Sequence, residues 1–299
     1  MQVNVARWPL CAAGLAVIVG AAVTGCASSS SSAGAGTGGA SAQASVSPLA
    51  AVQLAAKAAH GASSYTGTMD LQGTVKPGAA GASGTSGALS MTGTFAEQLR
   101  PSLIASANFT SLNFGGQSLP GGFAEIITPT TLYLKWPYLT QLLHVSKPWM
   151  SLSVAAASKS SGIDLSQFMG AATGNGPLVQ TQMLAAATSV RQVGTGTIDG
   201  VPVTEYTGKI PLAKAAASLS GSAKTALQQA NKDGLTEATF TDWIDAHHIA
   251  RKAVVTEVGK SISETITVTT TSINQPVNIS IPSASQTSPL PSSAQGTLS

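Results

Sequence analysis

"SYTGTMDLQGTV", residues 64–75, places Tyr65, Met69, Leu71 and Val75 in alternation with Thr66, Thr68, Asp70 and Gln72. Successive side chains of a strand point to opposite faces, so this period of two predicts a strand with one buried and one wet face. A loop of Gly, Ala and Ser follows at 77–87, and the pattern then returns. Leu89, Met91, Phe95 and Leu99 fall on one side, with Ser90, Thr92, Thr94 and Gln98 on the other. Leu103, Ala105, Ala107 and Phe109 carry it on. Two short strands are predicted around Thr128-Pro129-Thr130 and a further one in "KPWMSLSV".

Upstream the period is that of a helix. In "SPLAAVQLAAKAAHGA", Ser47 is a candidate N-cap, Pro48 suits the first helical position, and Gly61 is the stop. Leu49, Val52, Ala55, Ala56 and Ala59 are expected to share its apolar face. Downstream, residues 155–189 read as helical or irregular, with "PLVQTQMLAAATS" the clearest helix. Asp199-Gly200 then joins two strand-like runs in a two-residue hairpin. "PLAKAAASLSGSAKTALQQANKDG" reads as a helix weakened near Ser220-Gly221. "EATFTDWIDA", "IARKAVVTEV" and the alternating "KSISETITVTTTSI" complete an antiparallel meander. About ten strands in sequence-adjacent pairs, which tend to curl, predict an α+β fold. Its expected form is a strongly curved antiparallel sheet, a half-open barrel, with helices on the concave side.

The beginning of the chain speaks of location. Arg7 is the only charge before Cys26, and "WPLCAAGLAVIVGAAV" is apolar throughout. That stretch is short for a membrane span, which needs about 20 residues, and it fits a secretory signal. Val23-Thr24-Gly25-Cys26 resembles the bacterial lipobox, which implies cleavage before Cys26 and acylation of its sulfur. Two or more acyl chains anchor a protein stably where one does not. Cys11 leaves with the signal, so no disulfide or thiolate metal site is expected. The Gly/Ser-rich stretch after Cys26 is flexible coil; about 20 such residues reach roughly 25 Å. The expected organisation is a signal peptide over 1–25, lipidated Cys26 and linker over 26–46, one domain over 47–284, and a disordered tail over 285–299. The expected location is the outer face of the cell membrane.

Only 9% of residues are charged and the net charge is +3, which gives no reason to expect nucleic acid. No catalytic constellation stands out, and neither an enzyme nor a cofactor is expected. His247-His248 with Asp242 and Asp245 reads as a solvated turn, because neighbouring strand positions diverge. "GTGTIDG" follows no βαβ unit and so is no nucleotide loop. There is no Gly-x-Ser-x-Gly elbow, and His60 and His144 lie far apart. Glu97 and Glu125 read as isolated surface carboxylates. Trp136-Pro137-Tyr138 either caps a pocket mouth or anchors a loop.

"VGTGTIDGVPVTEYTGKI" (193–210), "WIDAHHIARKAVV" (243–255) and "INQPVNISIPSA" (273–284) resemble, in that order, segments of actinobacterial lipoproteins of the LppX/LprG family, which has a LolA-like fold. The resemblance runs from Ser47 to about Ala284. It implies a half-open barrel closed by helices around an apolar cavity, and hence a binder of lipid or another hydrophobic ligand, in a family whose members include envelope lipid carriers. Residues expected to line such a cavity are Tyr65, Met69, Leu71, Leu89, Met91, Phe95, Leu103, Phe109, Ile262, Ile266 and Val268. The alternative is a dry core of the same residues, in a surface or sensor lipoprotein that acts through protein partners.

Overall fold

The structure, a computed structural model, describes residues 46–76, 87–118, 121–161, 183–184, 186–219, 221–232, 234–260 and 262–291. Helix α1 spans Pro48–His60. The Ser47 hydroxyl accepts from the Ala50 amide at 3.3 Å, a cap worth about 1 kcal/mol. Its buried stripe is Ala51, Val52, Ala55 and Ala56. Leu49, expected on that stripe, lies about a quarter-turn from its centre and is 37% exposed. The side chain of Ala59 lies outside the described residues.

The strands are β1 (Ser64–Val75), β2 (Gly87–Gln98), β3 (Ile104–Phe114), β4 (Gln117–Ser118), β5 (Phe123–Ile127), β6 (Thr131–Lys135) and β7 (Trp149–Ser153). Then come β8 (Thr188–Ile198), β9 (Val201–Pro211), β10 (Glu237–Asp245), β11 (Ala250–Val258), β12 (Ile262–Ile273) and β13 (Thr287–Pro289). Helix α2 (Pro137–Leu142) precedes β7, and α3 (Val154–Ser161) follows it. The stretch after β9 holds α4 (Leu212–Ser218) and α5 (Gly221–Lys232), two helices where one weakened near Ser220-Gly221 is expected. Of the helix expected over 177–189, Met183 and Leu184 are helical, Thr188 and Ser189 instead begin β8, and most of the rest lies outside the described residues.

All thirteen strands form one sheet, in the order β13-β7-β6-β5-β3-β2-β1-β12-β11-β10-β9-β8, with β4 against β3. Two meanders meet at the seam between β1 and β12, where Tyr65 faces Ile273 and Val75 faces Ile262. Every pairing is antiparallel except that of β13 with β7. β8 and β13 lie at opposite edges, so the sheet stays open. Bulges that leave Thr271 of β12 unpaired opposite Thr66/Gly67, and Thr110 of β3 opposite Thr92/Gly93, add twist and curvature. Glycine is needed at the first, because a Cβ on Gly67 would lie 2.3 Å from the Thr269 carbonyl and 2.6 Å from the Phe95 ring. The Asp199-Gly200 turn takes positive φ at both residues (49° and 79°), as a type I′ hairpin requires.

The ordered chain runs past the boundary expected at Ala284. After a 3₁₀ turn over Ala284–Gln286, β13 pairs with β7. Leu290 is buried against Met150, and Lys147 Nζ donates to the carbonyls of Ala284 and Thr287 at 2.8 and 2.9 Å. One apolar anchor and one charge-assisted clamp thus hold a segment whose Ser/Pro composition predicts disorder; residues 292–299 lie outside the described part.

On the concave face, α1 and α4 cover the β8–β10 end. Val52, Ala55, Leu212 and Ala215 pack there with Ile210, Ala238, Phe240 and Ile244. The architecture is therefore α+β, an open curved sheet with helices on its inner side.

Candidate functional site

The inner face of the central strands is set by register. Leu71 of β1 stands opposite Met91 of β2 and Ile266 of β12; Met69 stands opposite Gly93 and Val268. Phe109 of β3 faces Gly93, and Phe95 faces Gly67. Met69, Leu71, Met91, Phe109, Ile266 and Val268 form one buried cluster, with Leu89 and Phe95 packed against it. Tyr65 and Leu103 belong to an adjoining cluster that Phe95 also touches. All ten share the inner face of the sheet. Ile262 pairs with Val75 in β12, and its side chain lies outside the described residues. Cys26 and the segment 1–45 also lie outside them. Among the described residues no helix is long and apolar enough to cross a membrane.

Aromatic rings close this section. Phe109 stacks on Phe123 with centroids 4.4 Å apart, and Phe123 meets Trp136 at 6.1 Å. Trp136 is 4% exposed and joins the core, while Tyr138, 6.1 Å beyond it, is 39% exposed. The Trp-Pro-Tyr segment is thus an anchor in the core wall that leads into α2.

Two carboxylates share that wall, contrary to their expected place at the surface. Glu97 stands opposite Tyr65 and Ala105, and Glu125 opposite Ala107 and Leu134. Both are in phase with apolar neighbours on their own strands, Phe95 and Leu99 for one, Phe123 and Ile127 for the other. That parity is readable in the sequence; only the residue type argued for the surface. Ala105 and Ala107 lie between the two acids and leave a hollow, because a methyl group fills less of the wall than its neighbours do. The hollow measures about 10 Å³, room for roughly one water, and Met69, Phe95 and Ile127 complete its lining.

Burial pushes the carboxyls of Glu97 and Glu125 up to about 7. Glu97 is 4% exposed. Burial raises the Tyr65 phenol beside it, and Glu97 raises it further, while Arg100 opposes both. Three more acids face inward. Burial raises Asp242 to about 7. Glu264, directly opposite Glu257, is raised to about 7 by burial and then by that neighbour, and Glu257 is raised by burial. Oε2 of Glu264 is buried without a partner among the described residues.

The Asp-His segment makes the turn expected at His247-His248, but both of its acids, Asp242 and Asp245, are buried rather than solvated. Asp242 faces inward, while Asp245 faces the other way. Its Oδ1 accepts from the amides of His247 and Ile249 at 2.8 and 2.9 Å, and Arg251 Nη2 sits 2.8 Å from Oδ2. Among the described residues no three His, Cys, Asp or Glu side chains converge as a metal site would need.

The opposite face holds what the sequence reading treated simply as a wet surface. Beside the Gly93 bulge is an open groove of about 410 Å³, lined by Thr68, Asp70, Thr92, Thr94, Thr110, Thr267 and Thr269. Its size lies within the range of small-molecule sites, and threonines, each with one hydroxyl and one methyl, make up most of its wall. The run "TITVTTTS" was its sequence signal.

No family model matches the chain, and no curated protein matches it. Among solved structures it is similar to lipoprotein LppX of Mycobacterium tuberculosis, at 19% identity and TM-score 0.45 over 78% of this chain and 98% of that one. It is similar to LprF of Mycobacterium bovis at 14% identity and TM-score 0.46, over 79% and 97% of the two chains. A putative outer-membrane lipoprotein-sorting protein domain from Vibrio parahaemolyticus follows at 9% identity and TM-score 0.25, over 75% and 89%.

Proposed function

We propose that this chain is an extracytoplasmic lipoprotein, tethered through acylated Cys26, that binds a lipid-like ligand on the concave face of its sheet. One observation carries the reading: nine apolar side chains from β1–β3 and β12, with Leu103 just ahead of β3, line one inner wall, while α1 and α4 pack over the β8–β10 end. Such a wall has the apolar lining of a hydrophobic ligand site. The lipobox at Cys26 and the Gly/Ser-rich sequence behind it support an anchor and a tether for it.

The tight interior favours a second reading. A hollow of about 10 Å³ holds no lipid, so uptake displaces side chains that now fill the wall. A sensor lipoprotein acting through protein partners needs no such opening. Mass spectrometry of an organic extract of the purified domain separates the two. The ligand reading expects co-purified lipid at a fixed ratio to protein. An empty protein that also ignores a fluorescent fatty acid overturns it. Mass analysis of the full chain from a bacterial host tests the anchor: the expected product begins at Cys26 and carries acyl mass, and an unmodified Cys26 removes the tether.

A further inference from the structure

We propose that the groove on the outer face of the central strands binds a neutral polysaccharide, a chain of sugar hydroxyls lying across β12, β1 and β2. The groove is on the far side of the sheet from the inner wall, so this site stands or falls apart from the lipid reading.

Register and one bulge build it. Thr68 of β1 stands opposite Thr269 of β12 and Thr94 of β2, and Asp70 stands opposite Thr267 and Thr92. Two adjacent rows of polar side chains thus cross three strands in step, with neighbouring strands about 4.8 Å apart. Thr110, which the bulge leaves without a partner on β2, lines the same groove, and its hydroxyl donates to the Thr92 carbonyl at 3.5 Å. Bulges are a common means of re-aiming a side chain into a site. The space between them, about 410 Å³, is within the range of ligand sites.

The lining selects the class of ligand. Of its described residues only Asp70 is charged. A lining with no basic group is poorly matched to phosphate or another anion. A lone carboxylate falls short of the several that hold a divalent cation. Each threonine hydroxyl donates one hydrogen bond and accepts others. Gln72 Nε2 donates to Asp70 Oδ1 at 3.1 Å and steadies a carboxylate that can accept at about four sites. A matching partner must donate and accept at closely spaced points and carry no net charge. A sugar chain has that chemistry, and its C–H groups pack on the threonine methyls between the hydroxyls.

The first row also continues past the groove. Thr269 stands opposite Lys252, and Lys252 opposite Trp243. Trp243 is half-buried, with Lys252 Nζ 4.8 Å from its ring centre. From Trp243 on β10 to Thr94 on β2 is four strand spacings, roughly 19 Å. That length suits several sugars in series, with the indole as a flat apolar platform at one end.

Affinity gel electrophoresis of the full chain tests the site, with dextran, soluble starch and galactomannan as neutral polymers, heparin as the anionic control and chitosan as the cationic one. At least one neutral polymer is expected to retard the wild type. Thr68→Val combined with Thr94→Val should weaken that affinity about tenfold or more, since valine keeps the β-branched shape and removes only the hydroxyls. Asp70→Asn should weaken it several-fold, and it decides the matter should the double variant fail to fold. Thr239→Val, on the same face but outside the groove, should leave it unchanged. Retardation by none of the neutral polymers overturns the proposal. Equal retardation of the wild type and the groove variants overturns it too, and retardation by heparin or chitosan alone reassigns the face to a charged partner.

Discussion

The β8–β10 end of the inner face and its central section share one strand period but differ in what closes them. At the end, helices provide a second wall: Val52 and Ala55 of α1 and Leu212 and Ala215 of α4 meet Phe240 and Ile244. Phe240 fills the space beside Gly208, where a Cβ would come 2.6 Å from its ring. In the centre the sheet is closed largely by its own side chains and the rings of Phe123 and Trp136. A core packed between sheet and helix fills by close complementarity. The central wall, curved upon itself, leaves a hollow and keeps two carboxyls facing it. The difference teaches that burial on one face of one sheet marks two kinds of place, one sealed by helices and one closed by the sheet's own side chains around a small hollow.

Four measurements break or sharpen that contrast. The largest effect belongs to the helix-covered end. Phe240→Ala should lower the unfolding free energy by about 3–5 kcal/mol in chemical denaturation and leave ligand affinity of the folded protein unchanged. Phe109→Ala should cost as much in stability and weaken binding of the fluorescent fatty acid too; equal ligand effects from both variants would erase the distinction. Gly67→Ala comes next. It forces a methyl group against the Thr269 carbonyl and the Phe95 ring, and should cost about 1–3 kcal/mol in the same assay.

Acid residues give the third measurement, through pH. A carboxyl raised to about 7 from near 4.5 holds its proton more tightly in the folded state than in the unfolded chain. The stability it contributes is fully present below about 4.5 and is lost as pH rises through about 7. Wild-type stability should therefore fall across that window. Glu97→Gln should flatten part of the slope and raise stability by about 1–3 kcal/mol above the window, with little change below it. A stability maximum above pH 7 in the wild type would contradict the burial of these groups. The smallest effect is expected at the surface. Lys209 Nζ and Glu237 lie 2.7 Å apart but are 51% and 39% exposed, so Lys209→Ala should shift stability by no more than about 0.5 kcal/mol.

Much of this architecture can be read from residue order alone. Alternation in 64–75 and 87–98 places the buried side chains correctly, since one face of the sheet is oily throughout and a one-residue slip would invert it. Ser47 and Pro48 mark the start of α1, and Asp199-Gly200 the hairpin. The acids escaped because residue type outweighed phase: Glu97 keeps step with Phe95 and Leu99, yet a carboxylate is normally solvated. Leu49 escaped for a geometric reason, a quarter-turn offset at the first turn of a short helix. β13 was hidden because its three residues gain their order from a distant lysine and from Met150, contacts that no local pattern records. The seam between β1 and β12 was equally invisible, being a pairing between the first and last long strands.

That seam has a temporal meaning. A polypeptide emerges from its N-terminus, so β1 is made early and waits for β12, its neighbour on one flank, until nearly everything else has been made. Pairings so distant along the chain close slowly. Until they close, the first meander is half a shell with an unsatisfied margin, unable to lock into a compact body. The last lap of synthesis and the final act of shape-making therefore coincide.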